Sequence, residues 1–445
     1  MASPVRKVGV ATVRLWGRDV GAVAWNEKRG HGEFEYDPEF IRQGWEIAPV
    51  MMPLRAGIYS FPGLKQETFH GLPGLLADAL PDRYGNRLIE VWLSQQGRSV
   101  SDFTPVERLC YMGTRGMGAL EFKPAIGPQA RKSIPIEISE LTELAGRILN
   151  SRASLKVSLR GTREEALNAI IRVGTSAGGN RAKAVIAWNP KTEEVRSGQV
   201  TALEGFEPWI LKFDGVNDIA LGDSKGFGRV EFAYYKMAVA AGIEMNDCRL
   251  LEENGRAHFM TRRFDRDAHS NKIHMQSLCA LGHYDFNAAG EYGYEEALSL
   301  ILRLNLGHET MREMYRRMVF NVLARNQDDH TRNIAFLMNQ GGTWHLAPAF
   351  DVIWAYNSSG IWTNRHQMSV NGKRDGYTVE DLQAPAKQYE IKGAAAILDQ
   401  VAAAVSRWPE FARKAGVDSE LAKKISRTHR LHLMRGKQAR GKRHV

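Results

Sequence analysis

The segment Asn326–Asn333 has residue types and a spacing that suit phosphoryl transfer. It reads Asn-Gln-Asp-Asp-His-Thr-Arg-Asn, so Asp328 precedes Asn333 by five positions. In the catalytic loops of kinases an Asp at this spacing accepts the proton of the attacking hydroxyl, and the Asn binds a metal ion. A short loop of this kind can direct both side chains into one cleft. Because the same spacing also arises by chance, the interpretation depends on supporting elements elsewhere in the chain.

A second carboxylate, Asp351, lies 18 positions beyond Asn333 in the apolar stretch Leu346–Val352. Hard divalent cations take oxygen ligands, usually one or two carboxylates together with the phosphates of the substrate. Asp351 therefore suits a second magnesium ligand. The alternative is a helix N-cap, a position that Asp also favours.

The segment Gly174–Lys183 is rich in glycine and leads into an apolar strand, Ala184–Trp188. Glycines allow backbone N–H groups to approach phosphate oxygens closely. The segment matches neither of the two common glycine-rich phosphate signatures. A phosphate-binding loop and a simple hairpin turn both remain open here.

Lys212 follows in the strand Trp209–Phe213, and Glu231 stands near the start of the predicted helix Val230–Ala241. A lysine is a compact charge suited to phosphates, and in kinases a helix glutamate pairs with such a lysine. The alternatives are a lysine on an exposed strand face and a solvated glutamate. The order of these elements, from the glycine-rich loop to the last carboxylate, is the order found in kinases, and it is a stronger signal than any single motif.

The elements that must position these residues are strand-rich early in the chain and mainly helical towards its end. A segment of mostly β-branched or apolar residues predicts a strand over Val8–Leu15, and the chain turns at Trp16–Asp19 and returns in a second strand over Val20–Trp25. A closing strand is predicted over Ala119–Phe122, after several glycines. Apolar residues at a helical period predict helices in the last third of the chain, over Tyr294–Leu304, Glu309–Arg325, Ala394–Ser406 and Ser419–Met434.

Composition limits the protein class and its partners. The 445 residues carry a net charge of +10 with a pI of about 9.4, which favours polyanionic partners without choosing among them. The three cysteines are far apart, so neither a disulfide framework nor a cysteine-rich zinc site is expected. We see neither a signal peptide nor an apolar membrane span and expect no membrane partner and a cytoplasmic protein.

Together these motifs resemble the HipA toxin kinases over about residues 8 to 410. The resemblance rests on the glycine-rich loop from Ser176 to Lys183, on Arg262–Arg266, on Asn326–Asn333 and on Pro348–Asp351. Two N-terminal motifs add to it, Leu76–Asp82 and Arg115–Leu120. It departs from the family pattern at Gln327, where a Thr often precedes the catalytic Asp.

The resemblance implies a role for each matching position. Asp328 would be the catalytic base, and Asn333 and Asp351 would hold Mg²⁺. Ser176 would be the autophosphorylation site, with Thr175 as an alternative, and its phosphate would repel bound ATP. Glu231 would be the partner of Lys212. The residues implied to bind ATP are Gly178, Gly179, Asn180, Arg181, Ala182, Lys183, Lys212, Arg262, Arg263, Phe264 and His330.

The resemblance also implies an α+β, protein-kinase-like bilobal fold with an α/β N-terminal lobe extension and a mainly helical C-terminal lobe. We predict an N-terminal subdomain over 1–125, an ATP-binding lobe over 136–265, a helical catalytic lobe over 266–434 and a basic tail over 435–445. ATP and Mg²⁺ are the implied cofactors. The implied partners are a HipB-like helix-turn-helix antitoxin, operator DNA through the antitoxin complex, and a protein substrate such as an aminoacyl-tRNA synthetase.

Two other functions fit part of the sequence. A small-molecule kinase uses the same Asp, Asn and Asp constellation, although it does not need the N-terminal lobe. A non-catalytic corepressor that binds DNA with an antitoxin would fit the positive charge, and it would retain its biological activity in an Asp328→Ala variant.

Overall fold

The computed structural model describes residues 7–128, 134–149, 164–174, 181–198, 204–216 and 225–434. The chain divides into two compact units. The first comprises residues up to 228 together with 247–276 and 338–342, and the second comprises 229–246, 277–337 and 343 onwards. The mixture of sheets and helices that the sequence predicts is confirmed.

The N-terminal part of the first unit is a sheet of five described strands in the order β4-β3-β2-β1-β5. Alternation along β1 places Ala11, Val13 and Leu15 in the core with no exposed surface. The predicted strand pair and closing strand are confirmed, because β1 pairs antiparallel with both β2 and β5. The strands are β1 Val10–Leu15, β2 Arg18–Asn26, β3 His31–Tyr36, β4 Ile58–Tyr59 and β5 Leu120–Lys123. The helices are α1 Pro38–Gln43, α2 Gln66–Phe69, α3 Gly74–Ala77, α4 Arg83–Gln95 and α5 Pro105–Met112.

A second antiparallel sheet of five described strands has the order β7-β6-β8-β10-β9. Its strands are β6 Lys183–Trp188, β7 Val195–Ser197, β8 Glu207–Lys212, β9 Cys248–Glu253 and β10 Arg256–Arg262, and β11 follows at His274–Ser277. One apolar core joins this sheet to α4 and to two further helices, α6 Ile138–Leu149 and α7 Glu164–Gly174. Gly174, the last residue of α7, packs so closely that a Cβ there would lie 2.5 Å from Leu88 Cδ1.

The second unit is mainly helical, as the sequence predicts. Its longest described helix, His308–Ala324, packs against Tyr294–Arg303 and Ala394–Ser406 through fully buried residues such as Met318, Phe320 and Leu398. The helices are α8 Phe227–Ala240, α9 Leu278–Gly282, α10 Tyr294–Arg303, α11 His308–Ala324, α12 Val379–Gln388, α13 Ala394–Ser406, α14 Trp408–Lys414 and α15 Ser419–Thr428. Two neighbouring strands follow α11, β12 Ala335–Met338 and β13 Trp344–Leu346. Within the described ranges, no helix is both long and apolar enough to cross a membrane.

The helix predicted to run from Ser419 to Met434 ends earlier, at Thr428. His429 is extended, with φ −60° and ψ 140°, and the Arg430 amide donates to Leu323 O at 2.9 Å. A tertiary hydrogen bond therefore replaces the next helical one. The prediction was wrong at residues 429–431, where the helix is interrupted, although residues 432–434 are helical again. The local apolar period does not reveal this tertiary contact.

Candidate active site

The predicted catalytic loop begins where α11 ends. Arg325 adopts a left-handed conformation with φ 58°, and its N–H donates to Asn321 O, which stops the helix. The Gln327 amide then donates to Ala355 O at 3.1 Å, and the Thr331 hydroxyl donates to Tyr284 O at 2.9 Å. The loop is therefore anchored at both ends to neighbouring backbone.

Asp328 presents its carboxylate at the surface of this loop. Its side chain is 42% exposed, and its Oδ1 accepts a hydrogen bond from the Trp362 indole N–H at 2.5 Å. His330 Nε2 lies 3.9 Å from the same oxygen. Among the described residues none donates to Asp328 Oδ2. One oxygen is thus oriented by an indole, while the other can accept a proton from an approaching hydroxyl.

Asn333 is oriented by the loop itself. A turn of 3-10 helix over Thr331–Asn333 directs the Asn333 side chain towards the start of the loop, where its Nδ2 donates to the Asp328 backbone carbonyl at 2.8 Å. Because the amide nitrogen is used in this way, the amide oxygen on the other side of the same planar group is the ligand atom that can face a cation. The spacing of five residues therefore links the base and the predicted metal ligand by one hydrogen bond.

Asp351 lies in the left-handed region with φ 53°. Few residues other than glycine adopt this conformation, Asp and Asn being among the most tolerant, and strained positions of this kind cluster at functional sites. Two backbone hydrogen bonds fix the preceding segment, from Ala347 N to Ala335 O at 2.9 Å and from Ala349 N to Glu244 O at 2.8 Å. In the described residues that directly follow Asp351 no helix begins, so the alternative of a helix N-cap is wrong.

Asn333 and Asp351 line one cavity in the second unit, together with His330 and Asn326. A buried oxygen of this cavity, Asn326 Oδ1, has no hydrogen-bond partner among the described residues. The amide oxygen of Asn333 and the carboxylate of Asp351 suit Mg²⁺, which takes few protein ligands and completes its shell with water and phosphate. The described residues contain no cluster of three or more His, Cys, Asp or Glu side chains that could hold a metal by themselves. The oxygen set fits a magnesium ion that is shared with a phosphate.

Asp329, the neighbour of Asp328, was not recognised from the sequence as part of the site. It is 3% exposed. Its Oδ2 accepts from the Tyr294 hydroxyl at 2.8 Å and from His366 Nδ1 at 2.7 Å. Its Oδ1 accepts from the Gln367 backbone amide at 2.9 Å. Two consecutive aspartates thus face opposite ways, one towards solvent and one into the core. A buried carboxylate with three donors fixes the backbone from which Asp328 projects.

In the first unit, two of the predicted ATP ligands lie side by side. Lys183 of β6 and Lys212 of β8 are directly opposite each other in an antiparallel pair, so their side chains leave the same face of the sheet. The Lys212 ammonium lies 5.5 Å from the ring centroid of Phe259 on the next strand. Lys183 is buried and Lys212 is half-buried. Two cations on one face of a sheet suit the binding of an anion.

Two other residues that the resemblance implies to bind ATP, Arg262 and Arg263, have structural partners. The Arg262 and Arg263 amides donate to Asp247 O at 2.8 Å and to Pro208 O at 3.0 Å, respectively. The Arg263 guanidinium is buried and forms two hydrogen bonds with Asp265, at 2.9 and 2.7 Å. Burial opposes the charge of Asp265, but its arginine partners and the Gly118 amide outweigh burial and hold the pKa of that carboxyl well below its usual range.

Of the remaining residues that the sequence predicts for the site, some are described by the structure and five are not. Arg181 lies with its guanidinium 4.8 Å from the ring centroid of Phe227, and Ala182 is buried. Glu231 is buried near the start of α8, and its pairing with Lys212 stays a prediction, as do the ATP contacts of Arg262, Arg263 and Phe264. Five predicted residues of the glycine-rich loop lie outside the described residues: Thr175, Ser176, Gly178, Gly179 and Asn180.

Two protein-family models match the chain. A model described as the HipA-like C-terminal domain matches residues 175–408, which is more than half of the chain. A model described as the HipA N-terminal domain matches residues 11–123. The chain belongs to the HipA family. The resemblance stated above on sequence motifs is thereby confirmed.

Among solved structures, the complex of HipA, HipB and operator DNA from Shewanella oneidensis MR-1 contains a chain similar to this HipA-family protein. The TM-score is 0.64 at 17% identity, covering 96% of this chain and 97% of that one, so the two share a fold. A curated "Putative kinase" of Haemophilus influenzae is 29% identical over 107 residues. That match spans 21% of this chain and 30% of the relative's length.

Proposed function

We propose that this HipA-family protein is an ATP-dependent serine/threonine protein kinase and the toxin of a toxin–antitoxin pair. The arrangement of Asp328 and Asn333 is the observation that carries the proposal. The Asp328 carboxylate is half-exposed with one oriented oxygen, and the Asn333 amide, which would bind the metal, donates to the backbone carbonyl of Asp328 at 2.8 Å. This arrangement suits the transfer of phosphate to a hydroxyl.

In the proposed reaction, Asp328 accepts the proton of a substrate serine or threonine hydroxyl as its oxygen attacks the γ-phosphorus of ATP. The bond from that phosphorus to the β–γ bridging oxygen breaks, and ADP leaves. Asn333 and Asp351 would hold Mg²⁺, which neutralises phosphate charge when bound. Lys183 and Lys212 would bind the phosphates of ATP, because two ammonium groups on one sheet face favour an anion.

The proposed regulation and partners rest on the family. Ser176 or Thr175 would accept phosphate in self-inactivation, and the added charge of about −1.5 to −2 would repel ATP phosphates. A HipB-like antitoxin and operator DNA are proposed partners, since the related Shewanella HipA was solved with both. The net charge of +10 agrees with a polyanionic partner. The proposed external substrate is a protein such as an aminoacyl-tRNA synthetase.

The proposal is tested by incubating the purified protein with ATP and magnesium and mapping phosphate by mass spectrometry. Asp328→Asn is the test variant, and Asp399→Asn, an exposed position on α13, is the matched control. We expect phosphorylated serine or threonine in the wild type and in the control, and a loss of about 10²–10⁴-fold in Asp328→Asn. Binding of ATP without phosphate on any protein would favour a small-molecule acceptor. Absence of both binding and transfer would refute the kinase and favour the corepressor.

A further inference from the structure

Arg430 lies in the part of the sequence that reads as a basic C-terminal region, yet its side chain is buried. It follows α15 by two residues and is 3% exposed, whereas Arg427, one turn before it, is exposed. Burying a guanidinium is costly unless it is paired and its hydrogen bonds are made. The groups that bind the Arg430 guanidinium therefore identify the part of the structure that this residue stabilises.

The Arg430 guanidinium binds groups around the catalytic loop. Its Nη1 donates to Val322 O at 2.9 Å and lies 2.9 Å from His366 Nε2. Its Nη2 donates to Asp375 Oδ1 at 2.5 Å and to Gln327 Oε1 at 3.3 Å. Gln327 is the residue immediately before Asp328. One side chain from the end of the described chain thus joins the end of α11, the catalytic loop and the segment around His366.

These contacts fix the tautomer of His366. Arginine only donates hydrogen bonds, so His366 Nε2 must accept from Arg430, and the ring proton then resides on Nδ1. The Nδ1–H donates to Asp329 Oδ2 at 2.7 Å. Burial lowers the pKa of His366, which keeps the ring neutral and the tautomer defined. Arg430, His366 and Asp329 therefore form one directed series of hydrogen bonds.

The series continues to Asp328 by two routes. Along the backbone, Asp329 is its direct neighbour. The second route runs through Gln367 and Trp362: Asp329 Oδ1 accepts from the Gln367 backbone amide, the Gln367 side-chain amide donates to the Trp362 backbone carbonyl, and the Trp362 indole donates to Asp328 Oδ1. The position of the Asp328 carboxylate therefore depends on groups that Arg430 holds.

We propose that Arg430 is a positioning residue for phosphate transfer, acting through His366 and Asp329 to hold the Asp328 carboxylate. The inference rests on the proposed kinase function and adds to it a requirement for the C-terminal segment. A lysine could supply the charge but not the planar fork that reaches four acceptors at once. The charge alone is therefore insufficient for the role.

The test compares Arg430→Lys with Arg427→Lys, which makes the same substitution at an exposed position. Loss of a hydrogen bond from a charged donor corresponds to about a 10-fold to 100-fold effect. We expect kcat for phosphate transfer to fall by about that factor in Arg430→Lys while KM for ATP stays within about twofold. Amide hydrogen exchange of residues 326–333 should accelerate about 10-fold or more in this variant, with exchange in β6, β8 and β10 unchanged. Arg427→Lys should match the wild type in both measurements.

Two results would overturn the positioning role. One is an unchanged kcat together with unchanged exchange of residues 326–333 in Arg430→Lys. The other is a uniform acceleration of exchange throughout the chain with a proportional loss of ATP binding, which indicates a purely structural role. A wild-type protein that transfers no phosphate refutes the proposed function instead. Exchange of residues 326–333 in the Arg430→Lys variant then decides by itself whether Arg430 holds the loop.

Discussion

Replacing each of two adjacent aspartates, Asp328 and Asp329, by Asn should have different effects. The first substitution should lower the rate of phosphate transfer, and the second should lower the stability of the protein. Asp328 has a 42% exposed side chain, and among the described residues its hydrogen-bond donor is the Trp362 indole. Asp329 is 3% exposed and accepts three hydrogen bonds. Replacing each in turn by Asn keeps the volume and removes one charge, so any difference between the two variants reports on their surroundings.

The expected stability changes follow from these contacts. In Asp328→Asn the amide oxygen can still accept from Trp362, and an exposed substitution changes the free energy of unfolding by only about 0.5 kcal/mol. In Asp329→Asn an NH₂ group faces a hydroxyl, an imidazole N–H or a backbone amide that already donates. Breaking such a buried charged network by removing one partner costs about 3–5 kcal/mol. The reason is that buried donors are left without acceptors.

Urea denaturation of both variants and of the wild type measures these differences, and phosphate transfer is assayed on the same samples. We expect Asp328→Asn to lose about 10²–10⁴-fold in transfer at unchanged stability. We expect Asp329→Asn to lose several kcal/mol of stability. Equal destabilisation by the two substitutions, or a neutral Asp329→Asn, would refute the assignment of one residue to chemistry and the other to support of the loop.

Three further predictions concern stability. Burial lowers the pKa of His283 and of His429 to about 4. In the unfolded chain each imidazole takes up a proton near pH 6.5. The free energy of unfolding should therefore fall by about 2 kcal/mol per histidine as the pH is lowered from 8 to 5. Denaturation at several pH values checks this, and a pH-independent stability would contradict it. Gly174→Ala should destabilise by about 1–3 kcal/mol despite its better helix propensity, since its Cβ would lie 2.5 Å from Leu88 Cδ1; an increase in melting temperature would contradict the close packing. Asp265→Asn should cost about 3–5 kcal/mol, because buried arginines lose their counter-charge; thermal melting compared with an exposed Asp19→Asn control measures the loss.

Local sequence patterns determined much of the secondary structure. β-Branched and apolar residues marked β1, and the helical apolar period predicted the bounds of α13 as found and those of α10 and α11 to within one residue. The contact between Asp328 and Asn333 is also set by the local backbone, because one 3-10 turn brings the two residues into hydrogen-bonding contact. Patterns of this kind are readable because the backbone geometry between nearby residues is the same wherever the segment occurs.

The sequence alone also determined the family, since several short motifs occur in a defined order over most of the chain. Each motif by itself was ambiguous, as Arg263 illustrates. Its side chain binds Asp265, a structural contact that the motif did not predict, while its contact with ATP stays a prediction. Order along the chain identifies a fold family, but it does not distinguish a residue that binds a ligand from its structural neighbour.

Only the tertiary structure decided which of two consecutive aspartates is exposed, where α15 ends, and that Arg430 is buried. Each of these outcomes depends on partners far away in the sequence: His366 and Gln367 for Asp329, and Leu323 for the Arg430 amide. A charged side chain is stable inside a protein only where acceptors or donors from other segments converge on it. That convergence exists only after folding, so no local pattern could reveal it.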